Sequence, residues 1–167
     1  MLLTICIPTH NRSAELNRNL KLLSECINRD HLQDMVCVLI SDNASSDDTP
    51  NIVSSYVKRN DIMLKYCRQD NNVGLANNFH FIVKKAETQW VMLLGDDDYL
   101  EPWYIAECIK QIECYPNLGC IIPNYVAYYP ESGEFGNLRE ENCKTEYYKA
   151  GFDACLMNAW RAHQLSG

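Results

Sequence analysis

Three consecutive carboxylates, Asp96, Asp97 and Asp98, follow the apolar run 90–94 and a single glycine, Gly95. Like charges packed this closely repel and raise one another's pKa. A divalent cation removes that cost. All-oxygen ligands suit a hard ion such as Mg²⁺ or Mn²⁺, and a Mg²⁺ site commonly uses one or two carboxylates and leaves the rest of its shell to substrate phosphates. The plainer alternative is a solvated turn ahead of a helix that begins near Pro102. The other strand ends weigh against it. Three further apolar runs each end in a polar segment: Pro8-Thr9-His10-Asn11-Arg12, then Ser41-Asp42-Asn43-Ala44-Ser45-Ser46-Asp47-Asp48, then Arg68-Gln69-Asp70-Asn71-Asn72-Val73-Gly74.

Within these segments each side chain has a bland reading beside a chemical one. Asp42 follows a strand and can close an Asx-turn. His10 can be a general base, a ring that stacks on a nucleobase, or an ordinary loop histidine. Arg12 can face a phosphate or solvent. Asp47 and Asp48 precede a helix, whose N-terminus favours negative charge. The 42–48 loop is no EF-hand, because it has no glycine at its sixth position and Ala44 replaces a ligand. The phosphate-binding G-x-x-x-x-G-K-[ST], the dinucleotide G-x-G-x-x-G after strand one and the G-x-S-x-G elbow are all missing from the sequence.

The elements that must position these residues follow from periodicity. Residues 2–7, 35–40, 63–67 and 90–94 read as short buried strands, and 119–123 as a further one. Leu16, Leu20, Leu23 and Ile27 recur at helical spacing after a capping Ser13. Thr49-Pro50 reads as an N-cap and first helical position, with Ile52, Val53, Tyr56 and Val57 behind it. Leu75, Phe79, Ile82, Val83 and Ala86 mark a third helix. Pro102 opens a fourth, carrying Ile105, Ile109 and Ile112. Strands separated by helices imply right-handed crossovers and a largely parallel sheet. Ligands then bind beyond the carboxyl ends of the strands, where the polar segments lie. Residues 124–148 break the pattern and read as an antiparallel excursion or long loop, and 152–165 as an amphipathic helix.

The composition is that of a globular domain: 167 residues, of which 47% are hydrophobic. A net charge of −7 argues against nucleic acid as the main partner. The first residues read as a strand rather than a signal peptide, and no run approaches the ~20 apolar residues of a membrane span. The nine cysteines form no C-x-x-C pair, so a zinc site is not indicated. Cys6, Cys37 and Cys120 fall in apolar runs, where a thiol packs as a small hydrophobe, and a reducing, cytoplasmic setting is expected. The terminal Leu165-Ser166-Gly167 suggests a piece of a longer chain.

Four segments, in order, resemble the large family 2 of inverting glycosyltransferases: Thr4 to Arg12, Leu39 to Asp47, Asn72 to Asn78, and Trp90 to Pro102. The resemblance implies a GT-A-like, Rossmann-type α/β three-layer sandwich with a mostly parallel central sheet. It implies a donor-binding domain over residues 1–123 and the start of an acceptor-side region over 124–167. Pro8 and Thr9 would line the nucleobase pocket with His10 and Arg12 beside them, and Asp42 would accept a hydrogen bond from the base. Asn72, Gly74 and Asn78 would flank the nucleotide. Asp96 would approach the ribose or the metal. Asp97, with Asp96 and Asp98, would hold Mg²⁺ or Mn²⁺ against the diphosphate.

Two departures stand out: His10 where the family often has tyrosine, and Gly95 where its D-x-D motif usually begins. The G-D-D-D-Y form is similar to abequosyl- and rhamnosyltransferase-like enzymes of bacterial surface polysaccharides. The implied partners are a nucleotide-diphosphate sugar and a saccharide or lipid-linked acceptor, at the inner face of the plasma membrane. The catalytic base is expected beyond Gly167, with Glu140 and Glu141 read as solvated loop residues. A non-catalytic glycosyltransferase-like binding module is the first rival. A sugar-phosphate nucleotidyltransferase is the second, weakened because only Arg12 supplies charge after strand one.

Overall fold

A computed structural model of the chain describes residues 1–129 and 131–138. The chain divides into two compact units, Met1–Glu113 and Cys114–Gly167. In the first unit, β1 (Leu3–Thr9), β2 (Val36–Asp42), β3 (Met63–Arg68) and β4 (Trp90–Leu93) alternate with α1 (Ser13–Arg29), α2 (Thr49–Arg59), α3 (Leu75–Lys85) and α4 (Tyr104–Cys114). The strands form one sheet in the order β3-β2-β1-β4, and every pairing is parallel. In the second unit β5 (Val126–Tyr129) and β6 (Glu134–Leu138) make an antiparallel hairpin, in line with the excursion expected after residue 123.

A parallel sheet is stable when both faces are covered. Here β1 and β2 are buried along their whole length. Leu3, Ile5, Ile7, Val36, Val38 and Ile40 face one layer, made by Leu16, Leu20, Leu23 and Ile27 of α1, Val53 and Tyr56 of α2, and Ile105 and Ile109 of α4. Cys6 and Leu39 face the other, where Ile82 of α3 closes the core. The result is the three-layer α/β sandwich expected from the alternation of strands and helices. The outer strands β3 and β4, read from the sequence as buried, contain no fully buried residue: they run between half-buried and exposed positions, as edge strands do.

Some boundaries and exposures differ from the sequence reading. Residues 119–123 form no strand: Cys120 is exposed and Ile122 is 50% exposed. Ending at a proline and finding no pairing partner among the described residues, that short run has nothing to bury itself against. Cys120 is therefore not a core thiol, whereas Cys6 and Cys37 are. Ser13 is the first residue of α1 rather than its cap, which is Arg12. Thr49 likewise starts α2 behind Asp48, and α4 begins two residues after Pro102. Leu75 and Val83 on α3 and Val57 on α2 face outward. Residues 152–165, Glu140 and Glu141 lie outside the described residues.

Candidate functional site

The strand order fixes where the site must be. From β1 the chain moves outward on one side to β2 and β3, and β4 then returns to the other side of β1. The loops after β1 and β4 therefore lie side by side at the carboxyl edge of the sheet, the edge where open α/β sheets bind ligands. Leu94 N donates to Cys6 O at 3.0 Å, continuing the pairing past the end of β4. Residues 9–12 and 95–98 are thereby brought face to face.

Between these loops Thr9 Oγ1 donates to Asp96 Oδ2 at 2.7 Å. Arg12 reaches over the same turn, pairs with Asp97, and lies 3.7 Å from Asp96 Oδ1. Asp98 folds back: Gly95 N donates to its Oδ2 at 3.2 Å, and Asp98 N donates to Gly95 O at 3.2 Å. A side chain at Gly95 would place its Cβ 2.6 Å from Asp98 Oδ2. A larger residue there would displace the Asp98 carboxylate, whose side chain is free to move, and so break its bond to the residue 95 amide.

The three carboxylates thus point three ways. Asp96 is buried, and burial pushes its carboxyl above the usual range. Thr9 and Arg12 pull it back down, while Asp97 adds to the rise. Asp97 is open to solvent, with 53% of its side chain exposed. Among the described residues no three His, Cys, Asp or Glu side chains are gathered as a ready-made metal cluster. A hard cation that takes one or two carboxylates and the oxygens of a diphosphate needs no such cluster. Asp97, with Asp96 behind it, fits that shell, because its protein partner is an exposed, displaceable arginine.

Next to this cluster the loops after β1, β2 and β3 are stitched together. Asn43 N donates to Thr9 O, and Gln69 N donates to Asp42 O, both at 2.9 Å. Asp42 is wholly buried. Its Oδ1 accepts from Ser45 N at 2.8 Å, as an Asx-type turn does, and its Oδ2 accepts from Tyr66 Oη at 2.6 Å. Arg68, its register partner on β3, lies 3.4 Å away and donates to Ser45 O. Asn78 is buried and clasps Ser41 twice, accepting from its Oγ and donating to its carbonyl at 3.0 Å. Asn72 Oδ1 accepts from Gly74 N and Asn43 Nδ2. Gly74 holds φ +83, open to glycine at no cost, where α3 begins. Pro8 pairs with Ser41 in the β1–β2 ladder.

The structure therefore brings Thr9, Arg12, Asp96 and Asp97 into one cluster. It joins His10, Asn72 and Gly74 in a second, adjoining network. Asp42 and Asn78 serve as buried ties beneath the loops. Sequence reasoning missed Asn11, Asn43, Tyr66 and Arg68. Their only signal was that each lies in or beside a strand end, where the chemistry of an α/β sheet collects. Asp47, read as an electrostatic helix partner, does more: its Oδ2 accepts from Ser13 N at 2.9 Å and its Oδ1 from Thr49 N at 3.1 Å. One carboxylate starts both α1 and α2.

The sequence that folds in this way is matched by a family model. The model for glycosyl transferase family 2 covers residues 4–159. The chain belongs to glycosyl transferase family 2. Among curated relatives, abequosyltransferase RfbV of Salmonella typhimurium is 32% identical over 100 residues, 60% of this chain and 29% of that protein. A GalNAc(5)-diNAcBac-PP-undecaprenol beta-1,3-glucosyltransferase of Campylobacter jejuni is 31% identical over 98 residues, 59% of this chain and 30% of its own length. The chain thus spans about 30% of the length of these relatives. Among solved structures, S. aureus TarS 1-349 in complex with UDP-GlcNAc superposes with a TM-score of 0.61 at 25% identity, covering 68% of this chain and 31% of TarS. The fold is shared by the mannosyltransferase PcManGT of Pyrobaculum calidifontis, in complex with GDP-Man and Mn²⁺, at a TM-score of 0.60 and 21% identity over 72% of this chain and 35% of that one. These are GT-A glycosyltransferases, and the family 2 chain described here has their fold.

Proposed function

We propose that this family 2 chain is the donor-binding part of an inverting, metal-assisted glycosyltransferase that moves a sugar from a nucleotide-diphosphate sugar to an acceptor hydroxyl. The observation that carries this reading is the cluster at the carboxyl edge of β1 and β4, where Thr9 and Arg12 meet Asp96 and Asp97. Residues 1–123 form the donor side and 124–167 begin the acceptor side. His10, Asn72 and Gly74 line the nucleotide. Pro8, Asp42 and Asn78 shape the pocket from below. Two bacterial relatives are named as sugar transferases, an abequosyltransferase and a glucosyltransferase, which supports bacterial polysaccharide assembly as the setting. One relative's name carries a pyrophosphoryl-undecaprenol, which supports a lipid-linked acceptor at the inner membrane face. No helix among the described residues is long and apolar enough to cross a membrane.

Asp97 and Asp96 would hold the Mg²⁺ or Mn²⁺, which when bound stabilises the negative charge that grows on the leaving diphosphate. Thr9 keeps Asp96 oriented by donating to it, so this carboxylate meets its ligand without reorganising. Arg12 neutralises the acidic turn until the donor arrives and lies within reach of an anionic diphosphate. An acceptor hydroxyl needs a base on the opposite side of the sugar. We assign that role to no described residue.

Calorimetric titration with UDP, CDP, GDP and dTDP, each with and without Mn²⁺, tests the reading on wild type and Asp97→Ala. One nucleotide is expected to bind in a Mn²⁺-dependent way, and the variant to bind it at least roughly tenfold more weakly, the loss expected for a charged contact. A folded wild type that binds none of the four sinks the proposal and favours a non-catalytic binding module.

A further inference from the structure

Asparagine is a poor choice for the apolar face of a helix. Its helix propensity is low, and its amide is costly to bury without a partner. Yet Asn19 sits on the inner face of α1 among Leu16, Leu20, Leu23 and Ile27, and is 1% exposed. Its Nδ2 donates to Gly95 O at 3.0 Å, joining residues 76 positions apart. The carbonyl only accepts, so the nitrogen is the end of the amide that faces it.

Gly95 O belongs to the peptide that enters the acidic turn. That peptide is planar, so holding its carbonyl also sets the direction in which the chain leaves toward Asp96. Glycine gives the chain more freedom at this point than any other residue would. Asp98 N also donates to Gly95 O, at 3.2 Å, but that bond lies within the turn and moves with it. Asn19 ties the turn to the helix layer. Its neighbour adds a weaker tie: the exposed guanidinium of Arg18 lies 5.2 Å from the ring centroid of Tyr99, one residue past Asp98. Arg12, the N-cap of α1, pairs with Asp97. The start of one helix thus holds the acidic turn at its entry, its middle and its exit.

We propose that Asn19 is a positioning residue for the donor-site metal. By fixing the peptide between Gly95 and Asp96 it presets where Asp96 and Asp97 place their oxygens, so that these need not reorganise to meet Mg²⁺ or Mn²⁺. Asn19 itself touches neither the ion nor the nucleotide. The inference rests on the donor-site reading.

Two variants pull stability and metal affinity apart. Asn19→Leu keeps the branched shape and suits the apolar face, but loses the donor. Asn19→Gln keeps the donor but adds a methylene to a packed site, which costs stability. Urea unfolding is expected to rank Asn19→Leu above Asn19→Gln. Mn²⁺ titration, in the presence of whichever of UDP, CDP, GDP and dTDP wild type binds, is expected to rank them the other way. The loss should be roughly fivefold to tenfold for leucine, the worth of about one hydrogen bond, and within about threefold of wild type for glutamine. The electron paramagnetic resonance spectrum of the bound Mn²⁺ should change in Asn19→Leu and match wild type in Asn19→Gln. Metal affinity that follows stability would mark a residue serving only the fold and overturns the inference, as does a leucine variant that binds Mn²⁺ as wild type does.

Wild type supplies a readout that needs no variant. The side-chain amide protons of Asn19 should exchange slowly with solvent, and their resonances should move when Mg²⁺ and the nucleotide are added. Fast exchange or unmoved resonances overturn the inference. If wild type binds no nucleotide at all, the donor-site reading fails and this inference with it. Mn²⁺-dependent binding by wild type together with the wrong variant order, or with unmoved resonances, overturns this inference alone.

Discussion

Arg12, on the loop after β1, lays its guanidinium over the turn after β4, so that a single cation faces Asp97 directly and Asp96 at 3.7 Å. Without a divalent ion the arginine is the counter-charge of this acidic turn. Its side chain is half exposed, so solvent screens the pair and its net worth is small. An arginine in that position competes with any metal. Arg12→Ala is expected to bind Mn²⁺ alone a few-fold more tightly than wild type, the scale of a screened ion pair. Titration followed by the electron paramagnetic resonance signal of free Mn²⁺ reads this directly. Unchanged or weaker Mn²⁺ binding would show that Arg12 does not occupy the metal position.

Asp96 carries the opposite tension. Burial raises its carboxyl pKa in the folded chain. A carboxyl whose folded pKa lies above its unfolded value favours the native state when protonated, and that benefit is lost as pH rises through the folded pKa. At neutral pH the buried charge is therefore a liability. Asp96→Asn keeps an acceptor for Thr9 Oγ1 and removes the charge. It is expected to raise neutral-pH stability by about 1 kcal/mol, or roughly 2–4 °C in Tm for a chain of this size. Scanning calorimetry checks the gain, and the Mn²⁺-dependent nucleotide binding of the same variant should fall. A variant that melts lower than wild type at neutral pH contradicts this account.

Asp47 holds the first backbone amides of α1 and α2 together. Burial pushes its carboxyl up, but hydrogen bonds from Thr49 and Ser13 outweigh that and bring it to about 2, from 3.8. Here the folded pKa is depressed, so the stabilisation is present above about 3.8 and lost as pH falls toward about 2. Asp47→Ala should cost about 1–2 kcal/mol in urea unfolding at neutral pH, as loss of a good cap does. The difference from wild type should shrink as pH is lowered through that window. A cost independent of pH there would mean that the charge contributes nothing.

The helices were legible because their burial is periodic, and the buried strands β1 and β2 because they are short, largely apolar runs. Leu16, Leu20, Leu23 and Ile27 announce one face of α1 without any knowledge of the partner strand. The run 119–123 shows the limit of such signals: apolar residues make a strand only where another strand waits. The site was legible by location, since polar segments after strands converge on one edge of a parallel sheet. Its internal arrangement was not. Three adjacent aspartates look equivalent in a string, but a turn closed between Gly95 and Asp98 sends each side chain to a different partner. Asp42 illustrates the same point: its full enclosure depends on Tyr66 and Arg68, and only the β2–β3 register reveals that.

The sheet order also has a kinetic meaning. Leu3 pairs on one side with Val36, close along the chain, and on the other with Trp90, far along it. Distant pairings close large loops and form late. β4 is therefore expected to dock after β1 and β2 are joined, and the acidic turn that follows β4 to reach Thr9 and Arg12 only at that step. In a refolding experiment, recovery of ligand binding would time the final closure of the sheet, while helical signal would return earlier.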